Sequence, residues 1–393
     1  MGWQAPGVTP ETADQPLDLA GGSNRPVWDD GPDLGLGSLD GPVGADLCVV
    51  GLGGSGLSAI GEALAAGRSV VGIDATTVGG GAAGRNGGFL LAGMAPFFHD
   101  LVEQIGPEGA ADLYRLTLDE LERIASETPD HVNLLGSLRI AASEEELLDC
   151  ARQFEAMRSA DLPVESYVGP EGEGLLFRRD GSLQPLARCK ELAKRAIAGG
   201  ARLFEHSPAL EITPGAVTTS KGRIEVKAIV VAVDGGLETL LPELAESRGV
   251  RTARLQMLAT EPLRHTRFSR PVYTRWGLDY FQQTGDGRLA LGGFRDLGGD
   301  AEWTNEPGPH PTVQEHLERY LREELAVGAA ITHRWSGAIS FTDNGLPVLG
   351  EVRPGVWACG GYSGTGNVVG ALCGRLAARL ALGLPAPEAE LLL

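Results

Sequence analysis

Three glycine-dense stretches hold residues whose types and spacing suit ligand chemistry. The first is Gly51-Leu52-Gly53-Gly54-Ser55-Gly56. In such a loop between a strand and a helix, the first glycine makes the tight turn. The second lets the backbone approach a pyrophosphate, and the third lets helix and strand pack closely. The helix start then presents free N–H groups and partial positive charge to phosphates. Asp74 follows at the spacing of the carboxylate that bonds an adenosine ribose.

The second stretch runs from Gly79 to Gly88 and contains Arg85, Asn86 and Gly87. A run this rich in glycine lets a ligand or another backbone come very close. The third is Gly360-Gly361-Tyr362-Ser363-Gly364-Thr365-Gly366-Asn367, a glycine loop ahead of an apolar helix and so suited to negative charge. The N1/O2 edge of a reduced flavin carries such charge. Three ligand loops exceed what a nicotinamide dinucleotide requires, so FAD is the expected cofactor.

The elements that must position these loops are legible in outline. Residues 46–51 and 69–74 read as buried parallel strands and 57–67 as the helix between them. That unit has the length and order of a dinucleotide-binding βαβ fold. Helical spacing recurs at 100–128, 143–160, 186–200, 311–328 and 367–382. Short strands are expected around 202–233, 250–293 and 355–359, with a hairpin turn at Asp286-Gly287. Residues 1–44 read as an irregular or partly mobile arm, parts of which dock through Trp3 and Trp28.

Composition narrows the function. The chain has 393 residues, long enough for two or three structural units, and a formal net charge of -19. That charge opposes nucleic acid binding and slightly favours cationic substrates. The five cysteines show no C-x-x-C spacing, and the seven histidines show no metal-ligand spacing, so neither a zinc site nor a disulfide framework is expected. No apolar run is long enough to span a membrane and no secretory leader is visible. A cytoplasmic location is the default.

The combination of the first two loops with "IVVAVDGG" and "GLPVLG…ACGGYSGTGN" resembles the FAD-dependent amino acid and amine oxidases of the D-amino acid oxidase type, which include glycine and sarcosine oxidase. The forms "GRNGG" and "GYSGTGN" are most similar to the γ-glutamylputrescine-oxidase-like branch. The resemblance covers about residues 25–385. It implies an α/β fold: a Rossmann-type FAD domain from 45–136, 186–249 and 331–385, and a substrate domain on an antiparallel sheet from 137–185 and 250–330. It places Arg85, Asn86, Gly87 and Gly88 along the pyrophosphate and flavin, and the Ala209 backbone at the adenine. Thr342 to Pro347 and Gly361 to Gly366 wrap the isoalloxazine. The implied reaction oxidises a C–N bond by hydride transfer to flavin N5. The imine hydrolyses, and oxygen is the usual acceptor.

Departures from the family pattern shape the expectation. Residues 338–341 lack the cysteine that binds flavin covalently in sarcosine oxidase-like members, so FAD is expected to be non-covalent. Ala290 stands where those members carry the lysine linked to oxygen activation, which keeps a dehydrogenase or demethylase with another acceptor open. Val368 and Phe89-Leu90 replace their carboxylate-binding residues, which disfavours a simple sarcosine-like substrate. On the substrate side, Tyr280 and Phe281 match an aromatic pair that faces the flavin. Arg275 and Arg295 could fix an anionic group bidentately, and Tyr362 could close the site. The alternatives are packing for Tyr280 and surface ion pairs for the arginines. A flavin-binding protein without turnover is the remaining rival.

Overall fold

The computed structural model describes residues 24–393. Strand β1 (Val43–Val50), helix α1 (Gly54–Ala65) and strand β2 (Val70–Ile73) form the expected βαβ unit. Leu47 and Val49 pack into the core beneath α1, while Cys48 and Val50 enter a second core on the opposite face. Alternate residues of one strand thus fill two cores, which is why the strand reads as a continuous apolar run.

Five parallel strands make the centre of the first sheet. Their order is Val356–Gly360, Arg223–Val231, β1, β2 and Arg202–Phe204. Val348–Arg353 pairs antiparallel at one edge, and a hairpin of Glu211–Thr213 with Ala216–Thr218 extends the start of Arg223–Val231. Val50 lies level with Ile73 and Val231, and Val231 with Ala358. The first glycine loop, Asp74, residues 232–236 and the third glycine loop therefore all leave the sheet at its carboxyl edge, where open α/β sheets bind ligands.

The second sheet has eight strands in the order Ile331–Phe341, Arg251–Thr260, Leu289–Gly292, Asp279–Gln283, Val272–Thr274, Ser137–Ile140, Gly172–Phe177 and Glu165–Gly169. Every neighbouring pair is antiparallel except Val272–Thr274 with Ser137–Ile140. Ile331–Phe341 belongs here, hydrogen-bonded along Arg251–Thr260, so the expected start of the third FAD segment at 331 moves past 341.

Other departures have local causes. The single helix expected over 100–128 is two, Phe98–Ile105 and Pro107–Glu127, because Gly106 adopts a positive φ of 82° and Pro107 cannot continue the preceding helix. Within the stretch 202–233, where short strands are expected, Arg223–Val231 is one strand of nine residues. Residues 24–42 contain no helix or strand, yet they dock. Leu36 and Leu39 donate backbone N–H bonds to the side chains of Glu205 and Ser207, and Leu39 is 1% exposed. The rest of the expected arm, Trp3 included, lies outside the described residues. All five cysteines are free and buried. Among the described residues no helix is long and apolar enough to cross a membrane, and no cluster of three or more His, Cys, Asp or Glu could hold a metal.

Candidate functional site

A cavity of about 760 Å³ runs from the carboxyl edge of the first sheet to the inner face of the second, which roofs it. Its size is that of a cofactor or drug-sized ligand site. Gly51, Gly53, Gly54, Ser55 and Asp74 line one end. Gly51 needs its positive φ of 104°, and a Cβ at Gly56 would overlap the Gly51 carbonyl oxygen. Gly56 is therefore a packing residue behind the loop and does not line the cavity. Gly53 caps α1 without any side-chain hydrogen bond, which leaves the first N–H groups of the helix open to a ligand. The Asp74 carboxylate accepts from the N–H of Leu52 and Thr76, both at 2.8 Å, and still borders the cavity. Its Oδ1 also accepts from Thr76 Oγ1 at 2.9 Å, so it fixes the loop and retains one Oδ2 lone pair for a hydroxyl.

Beside this loop stands Arg188, on helix Pro185–Ala198. It is 3% exposed, and a Cβ on Gly54 would lie 3.7 Å from its Nη1. Its Nε and Nη2 are buried without a hydrogen-bond partner. The nearest carboxylate, Glu127, is 3.7 Å away and already holds Arg375 through two bonds of 2.7 Å. Burial depresses the Arg188 pKa, as expected for a charge lacking compensation. A buried cation with unanswered N–H groups next to an open helix N-terminus fits a diphosphate. Sequence reading missed Arg188. Its one signal was an arginine among apolar positions of an amphipathic helix.

The second loop is held from outside. Trp335 Nε1 donates to the Arg85 carbonyl at 2.8 Å, Trp28 Nε1 to the Asn86 carbonyl at 2.7 Å, and Gln282 Nε2 to the Gly87 carbonyl. The Asn86 amide exchanges bonds with the Asn367 amide and accepts from Gly88 N–H at 2.8 Å. Asn86 thus ties the second loop to the third. Two of the three Arg85 guanidinium nitrogens, Nε and Nη2, are engaged by the protein itself. They donate to Ser336 O at 2.6 Å and to Asn24 O and Oδ1 at 2.5 and 2.7 Å. Arg85, Asn86 and Gly87 line the cavity, but Gly88, held against the Leu183 carbonyl, does not.

Asp234, at the end of "IVVAVD", anchors the third loop. Its Oδ1 accepts from the N–H of Gly361 at 2.9 Å and of Tyr362 at 3.3 Å. Burial pushes its carboxyl up to about 7 against those bonds. Tyr362, Ser363, Gly364, Thr365 and Gly366 line the cavity, as does Ala209, whereas Gly361 and 342–347 do not. The Tyr362 side chain does not close the site. It is 4% exposed and packs under Gly370, because the loop turns it into the core between α1 and helix Val369–Ala381.

The roof corrects two further expectations. Tyr280 faces the cavity and meets Phe89 edge-on at 5.6 Å. Phe281 is 3% exposed on the other face against Phe268, as the two-residue period of a strand requires. Arg275 lies outside the cavity, paired with Asp279 at 2.9 Å and Asp296 at 2.5 Å. Arg295 lines the cavity. Its guanidinium lies over the rings of Trp303 and Phe341 at 4.7 and 4.9 Å, with no carboxylate in ion-pair contact among the described residues. Burial lowers its pKa. Ala290 is fully buried beside Trp28 and Trp335, and no lysine lines the cavity among the described residues.

A family model described as FAD dependent oxidoreductase, DAO, matches residues 46–380. A probable oxidoreductase, OrdL, of Haemophilus influenzae is 26% identical over 372 residues, 86% of this chain and 83% of the relative. The gamma-glutamylputrescine oxidoreductase of Escherichia coli is 28% identical over 384 residues, 88% and 85% respectively. The glycine oxidase structure from Geobacillus kaustophilus superposes with a TM-score of 0.72 at 20% identity, over 88% of this chain and 96% of that one. With a dinucleotide loop, a buried arginine beside it whose Nε and Nη2 lack hydrogen-bond partners, and a family match over most of its length, the chain belongs to the DAO family of FAD-dependent oxidoreductases.

Proposed function

We propose that this FAD-dependent oxidoreductase oxidises the C–N bond of an amine or amino acid derivative and passes the electrons to oxygen. Bound FAD supplies the acceptor for the hydride of the amine's α-carbon, and water hydrolyses the imine that is released. The chain's residues hold and orient. The α1 N-terminus and Arg188 take the diphosphate, Asp74 the ribose, and the Asn86–Asn367 pair fixes the two loops around the ring. Tyr280, its phenol kept neutral by burial, walls the reacting carbon. Arg295 turns an anionic group of the substrate toward Trp303 and Phe341.

The observation that carries this reading is Arg295, a cavity-lining cation on an aromatic bed without a carboxylate partner. The names of two relatives, gamma-glutamylputrescine oxidoreductase and glycine oxidase, support the amine class. The flavin is held without a covalent bond, since Ile331–Phe341 carries no cysteine, and acid precipitation should leave it in the supernatant. The test is an anaerobic amine panel watched at the visible flavin bands. Bleaching by an amine is expected. A flavin reduced by dithionite and reoxidised normally, but reduced by no amine, would overturn the proposal in favour of flavin binding without turnover. Ala290 and the absence of a lining lysine among the described residues favour one second reading, a dehydrogenase with another acceptor. Dye reduction far exceeding hydrogen peroxide formation would select it.

A further inference from the structure

The cavity has a second polar end. Asp180 is 2% exposed and lines it. Its Oδ1 accepts from Ala92 N–H at 3.0 Å and its Oδ2 from Ser137 Oγ at 2.7 Å. Both donors are neutral, and no cation stands in ion-pair contact with this carboxyl among the described residues. A carboxylate oxygen accepts two bonds, so each keeps one lone pair free. Tyr114, 5% exposed, and Tyr273 also line this end, and neither phenolic oxygen has a hydrogen-bond partner among the described residues.

Strand register ties this end to the reaction zone. Tyr273 lies directly across from Tyr280 on one side and Arg139 on the other, so all three share the roof face. Arg139 cannot neutralise Asp180, because its guanidinium is engaged by Asp149 and Gln153, both at 2.5 Å, and lies 3.5 Å over the Phe97 ring. Ser137, which holds Asp180, is two strands and two residues of register from Tyr280, roughly 12 Å at the usual strand spacing and rise.

We propose that Asp180, Tyr114 and Tyr273 form a subsite for a second, cationic nitrogen of an elongated amine, an ammonium group about five to seven bonds from the carbon that is oxidised. This rests on the amine-oxidation reading. Buried carboxylates are seldom left without a cation, and here the substrate brings it. Burial raises the Asp180 carboxyl to about 7, and an ammonium within hydrogen-bond reach restores its ionised form. The net charge of -19 draws such a dication in.

The test uses the FAD-loaded enzyme. Anaerobic flavin reduction by pentane-1,5-diamine and by pentylamine is followed in the wild type, Asp180→Asn and Tyr273→Phe. The diamine should be favoured at least about tenfold in reduction rate over Kd, and both variants should shrink that preference toward unity. Tyr273→Phe keeps the ring and its packing, so it reports on the hydroxyl even if Asp180→Asn folds poorly. An unchanged preference in a folded variant, or none in the wild type, overturns the subsite. If no amine reduces the flavin, the oxidation reading fails by itself. The subsite then stands on perturbation of the flavin spectrum by pentane-1,5-diamine. An apparent Kd raised about tenfold in Tyr273→Phe supports it, and an unchanged Kd overturns it.

Discussion

The two ends of the cavity are built differently. At the dinucleotide end the backbone is pinned from outside: Asp74, Asp234, Asn86 and two tryptophans each hold a loop amide or carbonyl. What stays open there is the α1 N-terminus and Arg188, both positive, with the Asp74 carboxylate bordering the same end of the cavity. At the other end the roof strands are fixed by pairing, and the open groups, carried by those strands, by helix Pro107–Glu127 and by the adjoining turns, are side-chain tips of several kinds: the Tyr280, Tyr114 and Tyr273 phenols, the Arg295 cation and the Asp180 carboxyl. The first arrangement binds a single polyanion of known shape. The second leaves ligand choice to a few side chains, and exchanging one should alter preference without disturbing the fold.

If that contrast holds, the largest effects lie at the dinucleotide end. Gly56→Ala places a methyl group inside the Gly51 carbonyl, so the turn must move. The expected result is loss of bound flavin and about 3 kcal/mol of stability, read from the flavin-to-protein absorbance ratio and the thermal transition. A flavin-replete Gly56→Ala protein would break the claim that loop geometry is fixed. Arg188→Met sharpens it. Removing a buried cation without a close partner should leave the FAD-free protein as stable as before, or more so, while weakening FAD binding by about 2–3 kcal/mol. A matching loss in the FAD-free form would show that Arg188 serves Glu127 and not the diphosphate.

Asp234→Asn probes the anchor of the third loop through pH. The folded carboxyl titrates near 7, against 3.8 for an ordinary aspartate, so the folded state holds a proton that the unfolded state releases in that window. Its contribution is full below about pH 4 and is lost as pH approaches 7. The asparagine variant should therefore gain on the wild type, by about 2 kcal/mol between pH 5 and 8 once cavity water is allowed for. Parallel denaturation curves across that range would contradict the buried state of this carboxyl.

The same division marks what could be read in the sequence. Glycine positions, apolar runs and an acid at fixed spacing are local signals, and they located β1, α1, β2 and all three loops. Pairing between distant strands is not local. Nothing near Ile331 announces that it pairs beside Thr260, so by sequence residues 331–341 group with the dinucleotide segments and no strand is expected there. Which side of a strand faces a ligand depends on register, so Tyr280 and Phe281 looked alike. Charges are harder still. Arg85, Arg188, Arg275 and Arg295 are indistinguishable by type, and only their partners separate a loop brace, a partly buried ion pair and two cavity-lining cations that no carboxylate hydrogen-bonds among the described residues.

At the roof the effects should be smaller and selective. Arg295→Met should cost an amine carrying an anionic group about 2 kcal/mol in kcat/KM and an uncharged analogue much less, with flavin content unchanged. Equal losses for both analogues would make Arg295 a packing residue on Trp303.

The smallest effect tests the contrast within one strand. Tyr280→Phe removes a single hydroxyl from a ring that lines the cavity, while Phe281→Leu trims a ring packed on Phe268 and Tyr320 across the same backbone. Tyr280→Phe should move kcat/KM for the amine by about 1 kcal/mol or less and leave the thermal transition in place. Phe281→Leu should do the reverse, costing about 1 kcal/mol of stability with unchanged kinetics. The pair separates the faces because the two residues are adjacent on one strand and point in opposite directions set by the pleat. Kinetic loss in both variants would mean that the roof transmits packing changes to the site, and that its ligand choice is not confined to the tips of its side chains.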